Sequence, residues 1–224
     1  MALAWSTNED EGIEALTARL VSALDAGSRV LWFIPGGSNI SISVRVLQAL
    51  RLRVSKEKLA ALTITLTDER YGAVGHPDSN WAQLLEAGFS EEGIHAIPVL
   101  RGLLLDETVQ VWKAHLEYAF AHTDVHIGQF GIGADGHIAG ALPHSPAISN
   151  DEIVCSYESG PYMRITLSTS SIARMDVAFV FAFGDAKLTT LRELYSKDVP
   201  LEEQPAQVLK KIPEVYMYSD SIAQ

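Results

Sequence analysis

Apolar residues recur at helical spacing early in the chain: Ile13, Leu16, Leu20, Val21 and Leu24 share a stripe, and Gly27 follows as a stop signal. Arg29–Ile34 is then a compact apolar run, the mark of a strand covered on both faces, and it ends in Pro35-Gly36-Gly37-Ser38. Helical spacing returns over Ser41–Leu50, with Val44 and Leu47 on one face. Leu62–Thr67 alternates apolar residues with threonine and predicts a strand. Ser79 is placed to cap a helix carrying Trp81, Leu84 and Leu85. Val109, Trp112, Leu116, Ala119 and Phe120 form a further helical stripe, and Val125–Phe130 predicts a strand that runs into Gly131–His137. Arg164–Leu167 and Val177–Phe183 predict strands, Lys187–Tyr195 and Ala206–Lys211 helices, and Val215–Tyr218 a last short strand. Asn150–Pro161 carries no pattern and is expected to be a surface loop. Helix and strand alternate throughout, which predicts an α/β fold with a largely parallel sheet covered on both faces by helices.

Composition narrows the functions available. With 47% hydrophobic residues among 224, the chain can build a sizeable core in one domain over residues 1–224. Lys and Arg number 17 and Asp and Glu 28, so the formal charge is 17 − 28 = −11. Such a chain lacks the basic footprint that nucleic acid or an anionic membrane surface requires. An anionic small substrate would need a few well-placed Arg and Lys residues. Cys155 is the sole cysteine, so no disulfide framework is expected, and a small partly buried side chain accounts for it. Met1–Trp5 is too short for a signal core, and runs such as Val177–Phe183 fall far below the ~18 residues of a membrane span. A soluble, cytoplasmic protein is the expectation.

Ligands of open α/β sheets bind beyond the carboxyl ends of the strands, and four polar clusters fall at such ends. Gly36-Gly37-Ser38 lies between a strand and a helix, where backbone N–H groups can meet an anion; a simple tight turn explains it equally. No Lys-Ser/Thr pair or complete Gly-x-Gly-x-x-Gly follows, which argues against a nucleotide. Asp68-Glu69-Arg70 could set a guanidinium and a carboxylate over a ligand, or form a solvated turn. In Gly131-Ile132-Gly133-Ala134-Asp135-Gly136-His137, glycines surround an Asp and a His, suggesting a turn that holds an imidazole whose tautomer the carboxylate fixes; an incidental surface His is the alternative. Asp135 and His137 are only two ligands, and His76, His126 and His144 have no ligand-like spacing to them, so no metal is expected. Arg164 and Lys187, at the start of a strand and of a helix, are either surface charges or a phosphate clamp.

Taken in order, these stretches resemble the family of 6-phosphogluconolactonases and glucosamine-6-phosphate deaminases/isomerases. The resemblance rests on Pro35–Ser38, Thr67–Arg70 followed by His76–Asn80, Gly131–His137, Arg164-Ile165-Thr166 and Gly184–Lys187, and extends to Pro205–Leu209 and Val215–Ala223. It therefore covers nearly the whole chain. The deaminase pattern has Tyr at the positions of Arg70 and Asn80, and a Glu just before the proline, where this chain has Leu142 before Pro143. Leucine cannot transfer a proton, so these positions resemble the lactonase branch. Asn39-Ile40, Ile138, Gly140 and Ala141 depart from the usual lactonase residues.

The resemblance implies a Rossmann-like fold and hydrolysis of 6-phosphoglucono-δ-lactone to 6-phosphogluconate in the pentose phosphate pathway, without metal or organic cofactor. It implies His137 as general base, Asp135 as its orienting partner and Arg70 facing the developing negative charge. Gly36, Gly37, Ser38, Arg164 and Lys187 would hold the phosphate, with Asp68, Glu69 and Asn80 in the substrate site. An amino-sugar-phosphate isomerase or deaminase, and a non-catalytic sugar-phosphate-binding protein, are the alternatives.

Overall fold

A computed structural model describes residues 2–220 of the chain. Strand β1 (Ala2–Ser6) leads into helix α1 (Glu9–Asp25). Asn8 caps α1 by accepting a hydrogen bond from Asp10 N at 2.9 Å, and Glu9, Asp10 and Glu11 complement the helix dipole. Ile13, Leu16, Leu20 and Leu24 are buried, as their spacing predicts, and Gly27 closes the helix at φ +81°. There follow β2 (Val30–Ile34), α2 (Ile40–Arg51), α3 (Lys56–Leu59), β3 (Leu62–Leu66), β4 (Asp68–Arg70), α4 (Asn80–Glu86), β5 (His95–Ile97), α5 (Leu105–His122) and β6 (Val125–Phe130). Beyond them lie β7 (Val154–Ser159), β8 (Tyr162–Leu167), α6 (Thr169–Ile172), β9 (Val177–Phe181), α7 (Leu188–Ser196) and β10 (Glu214–Tyr218).

Seven strands form one parallel sheet in the order β1-β10-β9-β6-β2-β3-β5. Every residue of β2 and of β9 is buried, which explains their unbroken apolar runs. From β2 the chain builds outward through β3 and β5, then returns to place β6 on the other side. Loops leaving β2 and β6 therefore diverge at a switch point, where open α/β sheets form a crevice. A second sheet, β4-β8-β7, is antiparallel. It is spliced onto the carboxyl end of the first: Thr67 N donates to Ile34 O at 2.9 Å and Leu167 N to Thr67 O at 3.0 Å.

Several expectations need correction. Asn150–Pro161 is not simply a loop, for β7 runs through it. This edge strand is buried only over Val154 and Cys155, so its alternation is too weak to read. Arg164 lies within β8, not at its start, because β8 begins at Tyr162. Asp68–Arg70 is a strand paired with β8, which excludes the solvated turn, one of the two readings of this cluster. Pro205–Lys211 is a 3-10 helix, and β9 ends at Phe181. The stretch Val215–Ala223 is described only as far as residue 220. Cys155 is buried against Ala141, Ala147 and Tyr157, and desolvation pushes its thiol up to about 11. Among the described residues, no helix is long and apolar enough to cross a membrane.

Candidate active site

The β2–α2 loop forms one wall of the crevice. Gly37 takes φ +65°, a conformation in which glycine avoids the penalty of a side chain. A Cβ on Gly36 would lie 2.1 Å from Asn80 Oδ1, so only glycine admits Asn80 there. Asn39 is buried and donates from Nδ2 to Phe181 O at 3.1 Å, tying the loop to the end of β9.

Strand alternation decides the roles of Asp68, Glu69 and Arg70. Successive side chains point to opposite faces, so Asp68 and Arg70 reach the crevice and Glu69 does not. Glu69 is fully buried and accepts hydrogen bonds from Arg70 N (2.7 Å), Asn80 N (2.7 Å), Ser79 Oγ (2.9 Å) and Trp81 N (3.0 Å). Burial raises its pKa, and these bonds oppose the shift. Its expected place in the substrate site is thus corrected: Glu69 anchors the start of α4 and thereby holds Asn80. Asn80 donates from Nδ2 to Asp68 O at 2.9 Å, while its buried Oδ1 has no partner among the described residues.

The turn after β6 carries His137. Gly133 N donates to His137 O at 3.0 Å, and Gly136 turns the chain at φ +85°. The imidazole lies over Gly133, where a Cβ would sit 2.1 Å from His137 Nδ1. Asp135 Oδ1 is 2.6 Å from His137 Nδ1. A carboxylate acceptor there selects the Nδ1–H tautomer, so Nε2 keeps its lone pair. Behind the turn, Thr190 Oγ1 donates to Ala134 O, and Ala206 N donates to Gly136 O at 2.9 Å. Two of the sequence departures also find reasons here. Ile138 is a fully buried core residue, and a Cβ on Gly140 would lie 2.7 Å from Thr166 Cβ and 3.0 Å from Asp68 Cβ.

The fourth cluster completes the opposite wall. Arg164 is the direct cross-strand partner of Arg70, and its Nη1 is 3.6 Å from Asp68 Oδ2. Burial raises the Asp68 carboxyl above its ordinary range, against the pull of Arg70 and Arg164. Arg70 Nη1 donates to Asp78 O at 3.0 Å, and His76 Nε2 is 2.9 Å from Arg70 O. Lys187 ends the Asp185–Lys187 turn before α7, and desolvation lowers its pKa against the pull of Asp220.

Gly36, Gly37, Ser38, Asp68, Arg70, Asn80, His137, Arg164 and Lys187 together line one cavity of about 330 Å³. Asp135 lies behind His137 and acts on the cavity through it. Asn39, Ile132 and Ala139 also line the cavity, and sequence reasoning did not assign them to it. Asn39 stood out only as a departure from a pattern. Ala139, at φ +53°, carried no signal in a one-dimensional reading. Arg70, Arg164 and Lys187 face the single acid Asp68, so with a neutral imidazole the lining carries 3 − 1 = +2 within a chain of −11. Such a site can hold an anion at one place and activate water at another. Among the described residues, no group of three or more His, Cys, Asp or Glu is placed to hold a metal ion.

Comparison with known proteins agrees with this arrangement. A 6-phosphogluconolactonase of Pseudomonas aeruginosa is 29% identical over 205 residues, covering 84% of this chain and 82% of that one. A 6-phosphogluconolactonase of Synechocystis is 27% identical over 167 residues, 70% of this chain and 69% of its own. The crystal structure of 6-phosphogluconolactonase from Thermotoga maritima shares the fold, with a TM-score of 0.77 at 18% identity over 97% of both chains. Residues 7–217 match the profile described as glucosamine-6-phosphate isomerases/6-phosphogluconolactonase, and this chain belongs to that family.

Proposed function

We propose that this protein hydrolyses 6-phosphoglucono-δ-lactone to 6-phosphogluconate. The observation that carries the reading is the His137 imidazole, tied through Nδ1 to Asp135 at 2.6 Å and lining a cavity with a cationic wall. Nε2 takes a proton from a water molecule as the water oxygen bonds to the lactone carbonyl carbon. Asp135 stabilises the imidazolium so formed. Negative charge gathers on the carbonyl oxygen, where Arg70 opposes it. The intermediate then collapses: the bond from carbonyl carbon to ring oxygen breaks, and the imidazolium returns its proton to the departing oxygen. Water has been added across the ester, and the imidazole is neutral again. The N–H groups of Gly36–Ser38, with Arg164 and Lys187, hold the distant phosphate and so position the reacting ring.

The lactonase branch is favoured over the deaminase one because Leu142 stands where a proton-transferring Glu would be needed. The test is a lactonase assay corrected for spontaneous hydrolysis, run on the wild type and on His137→Asn. Loss of a general base removes about 10²–10⁴-fold of the rate, and affinity for 6-phosphogluconate is expected to stay close to wild type. A folded His137→Asn protein that turns over at the wild-type rate removes His137 from the mechanism.

A further inference from the structure

Arg70 and Arg164 stand directly opposite one another on antiparallel strands. Like charges so placed repel. Both line the cavity with one carboxylate beside them, that of Asp68, which Arg164 approaches at 3.6 Å. The Nε atoms of both guanidinium groups are buried and have no hydrogen-bond partner among the described residues. Hydrogen bonding therefore leaves these two side chains only partly held. An aromatic ring supplies the rest: the Tyr162 centroid lies 5.4 Å from Arg70 Cζ and 5.9 Å from Arg164 Cζ. Both distances are within the reach of a cation–π contact. Tyr162 stands two residues before Arg164 on β8, hence on the same face of the strand, and does not itself line the cavity.

We infer that Tyr162 is a positioning residue for the anion-binding wall, its ring holding Arg70 and Arg164 together in the empty site. Two guanidinium groups facing one carboxylate would otherwise part by swinging toward solvent. An incoming ligand, whose carbonyl end meets Arg70 and whose phosphate end meets Arg164, would then have to gather them again. The negative face of the ring lowers the cost of keeping them adjacent, so the site meets its ligand already formed. This deepens the proposed function and rests on it only for the identity of the ligand.

The test uses Tyr162→Leu, which keeps bulk without a π face, and Tyr162→Phe, which keeps the ring. Inorganic phosphate and 6-phosphogluconate are the calorimetric probes, since neither requires turnover. Each contact contributes about 2–5-fold, so loss of both in Tyr162→Leu should weaken 6-phosphogluconate binding about 4–25-fold, and Tyr162→Phe should stay within about twofold of wild type. In NMR of the wild type, the Nε–H signals of both arginines, assigned with Arg70→Lys and Arg164→Lys, should be shifted upfield by the ring. That shift should survive in Tyr162→Phe and vanish in Tyr162→Leu. Unchanged or tighter binding in Tyr162→Leu, equal losses in the two variants, or unshifted wild-type signals would each overturn the inference. A wild type that binds phosphate as expected but leaves the lactone intact refutes the proposed reaction alone, and the ranking of the two variants still decides the role of Tyr162.

Discussion

Lys187 offers the sharpest separation between a sugar-phosphate enzyme and a general lactonase. It lines the cavity at the start of α7, partly withdrawn from water. A charged hydrogen bond to phosphate contributes roughly 1.5–3 kcal/mol, so Lys187→Ala should weaken 6-phosphogluconate binding about 10–150-fold. An unphosphorylated gluconolactone lacks the group that Lys187 holds, and its kcat/KM should be nearly unchanged. The pH dependence carries a sign of its own. Desolvation lowers the Lys187 pKa, so the amine is charged below that value and neutral above it. Phosphate affinity is therefore full between the second pKa of the phosphate, about 6, and the Lys187 pKa, and falls as pH rises through the latter. Bound phosphate favours the charged amine, so the ligand should be taken up together with a fraction of a proton on the alkaline side. Lys187→Arg, whose guanidinium does not titrate in this range, should extend binding to higher pH. The measurements are calorimetric titrations in buffers of different ionisation enthalpy, and kcat/KM on both lactones. If Lys187→Ala loses equally on the phosphorylated and unphosphorylated substrates, Lys187 supports the fold or the carbonyl site, and the phosphate assignment fails.

Two further outcomes follow from the packing around the site. Gly133→Ala would place a methyl group where the His137 ring now lies, 2.1 Å from Nδ1, so the imidazole must move; kcat should fall at least about tenfold, on the scale of lost general-base catalysis, with phosphate affinity retained, and an unchanged kcat would show that the observed ring position is not the working one. Glu69→Gln removes an acceptor from the Arg70, Ser79, Asn80 and Trp81 donors; each donor left unsatisfied costs about 1–3 kcal/mol, so thermal unfolding should drop by several degrees, and a melting temperature equal to wild type would refute the anchoring role.

Much of this protein was legible in one dimension because local rules govern it. The apolar runs of β2 and β9 predict central strands, since a strand buried on both faces must be apolar at every position. Helix α1 announces itself through its stripe and its closing glycine, each a property of residues close in sequence. Gly131–His137 could be singled out for the same reason: the glycines, Asp135 and His137 interact within one turn.

Other features depended on partners distant in sequence. β7 and β4 exist because β8 pairs with them, and neither polar segment signals a strand by itself. Asp68-Glu69-Arg70 reads as three equivalent charges until pairing fixes the pleat, which sends Asp68 and Arg70 into the cavity and Glu69 into the helix anchor. That Arg70 and Arg164 are neighbours, with Tyr162 against both, follows from a register joining segments more than ninety residues apart. Sequence by itself determined which chemical groups the chain carries and where it turns, because propensity and periodicity act over a few residues. The tertiary structure decided which groups face one another, because strand pairing and close packing act across the sheet, where sequence distance carries no information.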